Sequence, residues 1–186
     1  GLTEIKIPDG VTSLGNGVFS GCSGLTEIKI PDVITTIGDY LFSGCGRLTS
    51  VNIPDGVTAI GEGAFEVCPM TSIQIPDSVT SIGKWAFAGC GRLTEINIPD
   101  GVTSIGSSAF EDCSGLTEIK IPDGVTSIGY EAFSGCSELT EINIPEGVTY
   151  IGERAFEECI KLTSIGLPTG LTEIADELFF GCVALT

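Results

Sequence analysis

The chain contains no histidine, one tryptophan, one methionine, and only eight lysines and arginines against 25 aspartates and glutamates. Each shortage excludes something. Without histidine the commonest general base and the commonest zinc ligand are gone. With a formal charge of −17 the surface repels phosphate backbones and anionic lipid, so neither nucleic-acid binding nor binding to a membrane surface is expected. No apolar run approaches the roughly twenty residues of a membrane helix, so no membrane insertion is expected. No signal-peptide pattern opens the sequence, so this segment carries no targeting signal. At 42% hydrophobic and 18% charged, the 186 residues are too apolar for a disordered chain. The 26 glycines and 9 prolines are spread evenly rather than gathered in linkers.

What the sequence has is repetition, with a period of 23. Residues 1–23 recur as 24–46, 47–69, 70–91, 92–114, 115–137, 138–160 and 161–183. The copy at 70–91 is one residue short, and Ala184-Leu185-Thr186 opens a ninth. The reading is a single quasi-linear array over 1–186, eight repeats and the start of another, with no internal domain boundary.

Each copy follows L-T-x-I-x-I-P-D-G-V-T-x-I-G-x-x-A-F-x-x-C. Leu2, Ile5 and Ile7 flank Glu4 and Lys6 in the pattern of a half-buried strand. Pro8 ends the pairing because it cannot donate, and Pro8-Asp9-Gly10 reads as a turn. Val11 to Leu14 repeats the opening pattern and reads as extended, a candidate second strand. Gly15, Val18, Phe19 and Cys22 then fall at i, i+3, i+4 and i+7, which predicts one or two helical turns. One copy cannot bury enough apolar surface to offset the ordering of its backbone, so copies must stack into a solenoid.

The strand pattern L-x-x-I-x-I-P with its later Cys resembles the leucine-rich repeat. The form with Ile-Pro, Ile-Gly, Ala-Phe and Cys is similar to the BspA-like class over the whole chain. The resemblance implies an α/β fold: a right-handed arc or horseshoe, with a parallel sheet on the concave side and short helical or 3-10 turns on the convex side. It also implies a surface or secreted protein engaged in adhesion. The last copy departs from the pattern at Thr169, Ala175 and Leu178, which predicts a less regular final coil.

Most invariant positions have a structural reading. Cys22, Cys45, Cys68, Cys90, Cys113, Cys136, Cys159 and Cys182 form a single file, with no C-x-x-C pair to converge on a metal, and read as buried packing thiols. Two threonine columns, starting at Thr3 and Thr12, could be taken for an ice-binding array. They read instead as hydroxyls bonded to backbone. The acids Asp9, Asp32, Asp55, Asp77, Asp100, Asp123 and Glu146 stack in a column that might be taken for a calcium site, but one carboxylate per coil supplies few of the six to eight oxygens Ca²⁺ takes. They read as turn residues. The glycine column from Gly15 to Gly152 matches no phosphate loop and reads as close coil packing.

No nucleophile–base pair and no cofactor fingerprint occurs, so neither catalysis nor a cofactor is expected. The outward strand residues, such as Glu4 and Lys6, are polar, without a single aromatic, and make a weak binding face. Large side chains concentrate elsewhere, at Tyr40, Lys84, Trp85, Tyr130, Tyr150 and Arg154. These are the candidate partner-binding residues, for a protein or a host-surface ligand. The alternative is a passive spacer or idealised repeat array with no ligand of its own. Terminal copies without a polar cap are expected to expose Leu2, Ile5 and Ile7 and to permit end-to-end self-association.

Overall fold

The computed structural model describes residues 3–186. In chain order its strands are β1 (Glu27–Lys29), β2 (Thr36–Ile37), β3 (Ser50–Asn52), β4 (Ala59–Ile60), β5 (Ser72–Ile73), β6 (Ser81–Ile82), β7 (Glu95–Ile96), β8 (Ser104–Ile105), β9 (Ser127–Ile128), β10 (Glu141–Asn143), β11 (Tyr150–Ile151) and β12 (Ser164–Gly166). All pairings are parallel. They link residues 23 positions apart, as in Glu27 with Ser50, or 22 apart where the short copy intervenes, as in Ile60 with Ile82. The chain is a parallel-strand β-solenoid with one repeat per coil.

Two strand walls result. The V-T-x-I segments form the longer sheet, six strands in the order β11-β9-β8-β6-β4-β2. The L-T-x-I-x-I segments form three pairs, β1-β3, β5-β7 and β10-β12, supplemented by single bridges from Lys6 to Lys29 and from Asn97 to Lys120. The second extended piece is therefore the more continuous of the two. Between the walls, Pro8-Asp9-Gly10-Val11 is a hydrogen-bonded turn, Val11 N–H to Pro8 carbonyl at 3.0 Å, and it recurs in every coil through Leu171 and Pro168.

The expected helical or 3-10 turns are absent among the described residues. The segment following the glycine column is a chain of overlapping turns. Ser43 N–H reaches the Tyr40 carbonyl at 3.2 Å, and Cys45 N–H reaches the Phe42 carbonyl at 3.1 Å. Every fourth residue enters the left-handed region: Gly17 and Gly21 in the first coil (φ 65° and 68°), Tyr40 and Gly44 in the second (54° and 69°). A helix cannot pass through these points. The intervening N–H groups instead point along the solenoid axis, Gly17 to the Asp39 carbonyl at 2.8 Å, Phe19 to Leu41 at 3.1 Å and Gly21 to Ser43 at 2.7 Å. Among the described residues, the backbone-to-backbone bonds between coils on this turn wall run from one coil's N–H to the next coil's carbonyl. The i, i+3, i+4 spacing that predicts a helix arises equally from successive turns.

Each internal coil buries eight apolar side chains. In the second these are Leu25, Ile28, Ile30, Ile34, Ile37, Leu41, Phe42 and Cys45, none more than 5% exposed. The phenylalanines stack in one column from Phe19 to Phe179, with centroids 5.4–6.0 Å apart and rings within 16° of parallel. Offset stacks of this kind add to what burial alone contributes.

The outer coils lose part of this cover. Ile165, Leu171, Phe179 and Cys182 in the last coil are partly buried, and so are Ile5, Val11, Leu14 and Cys22 in the first, whose sequence is regular. Having one neighbour, rather than the departures at Thr169, Ala175 and Leu178, accounts for the loss. Leu2 lies outside the described residues. Ile7, expected to be exposed, is buried, and the exposed member of the first coil's core columns is Val18.

Candidate functional site

The frame positions can be assigned first, because what remains is available for contact. Each thiol from Cys45 to Cys182 donates to the phenylalanine carbonyl of the preceding coil, Cys45 to Phe19 through Cys182 to Phe156, at 2.9–3.3 Å, and all of these but Cys182 are buried. Burial pushes the Cys45 thiol up to about 11 and the Cys90 thiol up to about 12. All eight cysteines are free. Among the described residues no group of three cysteines, aspartates or glutamates is placed to hold a metal ion. The threonine hydroxyls bond backward along the axis, Thr26 to the Thr3 carbonyl and Thr94 to Thr71 in one column, Thr58 to Thr35 and Thr126 to Thr103 in the other, at 3.2–3.3 Å. Where Thr169 replaces the acid, its N–H and hydroxyl bond the Glu146 carboxylate at 3.0 and 2.8 Å, which holds that carboxyl below its ordinary range.

The glycine column is set by close approach. A Cβ on Gly129 would stand 2.5 Å from the Ser107 nitrogen, and one on Gly152 would stand 2.5 Å from the Tyr130 nitrogen. Both obstacles are backbone and cannot move aside cheaply.

The turn wall collects five of the six candidate contact residues in two adjacent columns. Tyr40, Trp85 and Arg154 occupy the first left-handed position of their coils, with φ of 54°, 53° and 58°. Lys84 and Tyr130 occupy the position just before it. An L-residue in this conformation costs roughly 1 kcal/mol or more. Gly17 and Gly63 stand at the same place in the first and third coils.

The surroundings of the five differ. Tyr40 is half-buried, its hydroxyl donating to Glu62 and its pKa pushed up to about 12 by that bond. Its ring lies across Gly63, where a Cβ would meet Cδ1 at 2.5 Å. Trp85 and Tyr130 are each 39% exposed, and Lys84 is exposed. Glu131 and Arg154 act in opposite directions on the Tyr130 hydroxyl, and Glu131 prevails, raising its pKa. Arg154 pairs with Glu177 in the next coil and lies 3.9 Å from Glu153 and 4.0 Å from Glu131. Tyr150 stands apart, half exposed on β11 of the six-stranded sheet.

Reading single copies missed one feature. The outward residues of the first strand wall line a groove of about 1050 Å³, rimmed by Glu95, Asn97, Glu118, Lys120, Glu141 and Asn143 over a floor of isoleucines. A second hollow of about 600 Å³ continues it past Glu4, Lys6, Glu27 and Lys29. Their polarity was readable. Their depth depends on how the coils stack.

A model of the BspA type Leucine rich repeat region matches in six copies over residues 1–69 and 58–186. The chain belongs to this family. Among solved structures, a T. pallidum Leucine Rich Repeat protein is 32% identical, with a TM-score of 0.76, over 88% of this chain and 72% of its own. A leucine rich cell surface protein from Faecalibacterium prausnitzii is 31% identical, with a TM-score of 0.55, over 99% of this chain and 64% of its own. A leucine-rich repeat protein from Bacteroides ovatus, 24% identical with a TM-score of 0.55, shares the fold over 99% of this chain and 77% of its own. A search of curated proteins returned no match. Leucine-rich repeat proteins are generally protein-interaction modules, and the solenoid is typically a non-catalytic binding scaffold. Among the described residues no helix is long and apolar enough to cross a membrane.

Proposed function

We propose that this BspA-type array is a non-catalytic contact module of the adhesion kind, displayed on or released from a cell, and that its ligand engages the turn wall. One observation carries the reading. The large side chains that vary between coils gather on that wall at Tyr40, Lys84, Trp85, Tyr130 and Arg154, while the invariant positions are taken up by burial or by hydrogen bonds within the stack. Aromatic and arginine side chains dominate contact energies, and the first strand wall supplies no aromatic and no arginine. The description of the F. prausnitzii relative as a cell surface protein supports the setting.

The test is binding of the purified chain to host-cell monolayers. Replacing Tyr40, Trp85 and Tyr130 together with serine is expected to abolish retention without changing the circular dichroism spectrum. Unchanged retention by the variant overturns the reading. A second reading, a passive spacer, draws on the small polar residues of the first strand wall, and it predicts that the unaltered chain retains nothing.

A further inference from the structure

The turn wall carries an alternation that the general reading leaves unused. At its variable pair the coils run small, aromatic, small, aromatic, small, aromatic: Gly17, Tyr40, Gly63, Trp85, Ser108, Tyr130. The first five share one position, and Tyr130 sits one residue earlier, beside Glu131. The solenoid places these residues in successive coils along one wall. The phenylalanines two or three residues further along each coil are 5.4–5.5 Å apart, so aromatics in every second coil recur at about twice that, near 11 Å.

The rings are held in place. Tyr40 is fixed by its bond to Glu62 and by the gap at Gly63, and Tyr130 lies among Glu131 and Arg154. Tyr40 and Trp85 also occupy a backbone conformation that glycine adopts without strain, so the backbone there does not itself call for an aromatic.

Resting on the reading of this wall as the contact surface, we infer that it takes an extended, neutral β-1,4-linked glycan. In such a chain each sugar is turned over relative to the last, so the same face returns every second sugar, and one sugar is about as long as one coil is high. Sugars in register with coils two, four and six then lay their apolar faces on the three rings, and the sugars between them span the intervals, where Gly63 and Ser108 are buried beneath the surface. Carboxylates beside the rings, Asp39, Glu62 and Glu131, accept from sugar hydroxyls. The two columns hold six acids (Asp39, Glu62, Glu131, Glu153, Asp176, Glu177) and two bases (Lys84, Arg154), a net −4, which selects against uronic or sulfated chains.

Trp85 is the only tryptophan, so its emission reports this strip alone. Titrating the purified chain with cellohexaose or chitohexaose is expected to give a saturable shift of Trp85 emission. Maltohexaose, whose α-1,4 linkage coils the chain and destroys the alternation, is expected to give none. Combining Tyr130→Ser with Tyr40→Gly keeps the reporter and uses residue types that other coils carry at this wall. It is expected to weaken binding about tenfold.

A chain that answers to neither β-1,4 hexaose, answers equally to maltohexaose, or is indifferent to the double substitution overturns the inference. If the hexaoses fail while the triple serine variant still loses cell binding, the contact surface stands and its partner is a protein. If both fail, the contact surface falls with it.

Discussion

Val67 holds φ at 55° at the second left-handed position, where Gly21, Gly44, Gly89, Gly135 and Gly181 stand in other coils. A β-branched residue is among the least suited to this region, and at 56% exposed it gains little from packing. Val67→Gly is therefore expected to raise stability by about 1 kcal/mol. Gly129→Ala is expected to do the reverse, costing about 1–3 kcal/mol, because its methyl meets immovable backbone. Urea midpoints of the two variants against the parent check both signs. The close-packed glycine column was readable from its repetition, whereas the left-handed positions were not. They are filled by glycine in some coils and by Tyr, Trp, Ser, Val, Asp, Glu or Arg in others, so no consensus glycine advertises them. For the same reason Tyr40 read as an open aromatic, although its ring is half-buried across a glycine in the next coil.

At the scale of the element, the strand, the proline turn and the cysteine column were legible because each depends on local chemistry repeated many times. The turn wall was misread because its bonds leave the segment, and periodicity within one copy cannot tell a helix from a run of turns bonded to the next copy. The thiol column also carries a pH dependence. Burial raises the folded-state values of the Cys45 and Cys90 thiols above the ordinary 9.0, to about 11 and about 12. Above about pH 9 the unfolded chain therefore releases thiol protons that the folded chain still holds, so stability falls as pH rises. Urea midpoints are expected to be level from pH 7 to 8 and to drop progressively by pH 10.5. Cys90→Ala should flatten that drop while lowering the midpoint at neutral pH.

At the scale of the whole molecule, a coil contacts only the coils before and after it, so stability is close to a sum over neighbours. Deleting residues 92–114 as a unit is expected to leave the same parallel stack with one coil fewer. Circular dichroism per residue should be unchanged and the urea midpoint modestly lower. A deletion of the same length starting at residue 80 should behave alike, since it joins Val79 to Thr103 and so restores the register. The depth of the groove along the first strand wall escapes single-copy reading, because it depends on how successive coils stack rather than on any residue pattern.

The one-way run of amide bonds on the turn wall gives the rod a direction. Its first coil presents carbonyl oxygens on that wall and its last presents N–H groups, so two like ends would set acceptor against acceptor or donor against donor. Any further turn, whether belonging to the same polypeptide or to another molecule, is admitted there only front to back. Growth by that route is head-to-tail, giving an open filament or a closed ring and never a two-fold symmetric pair.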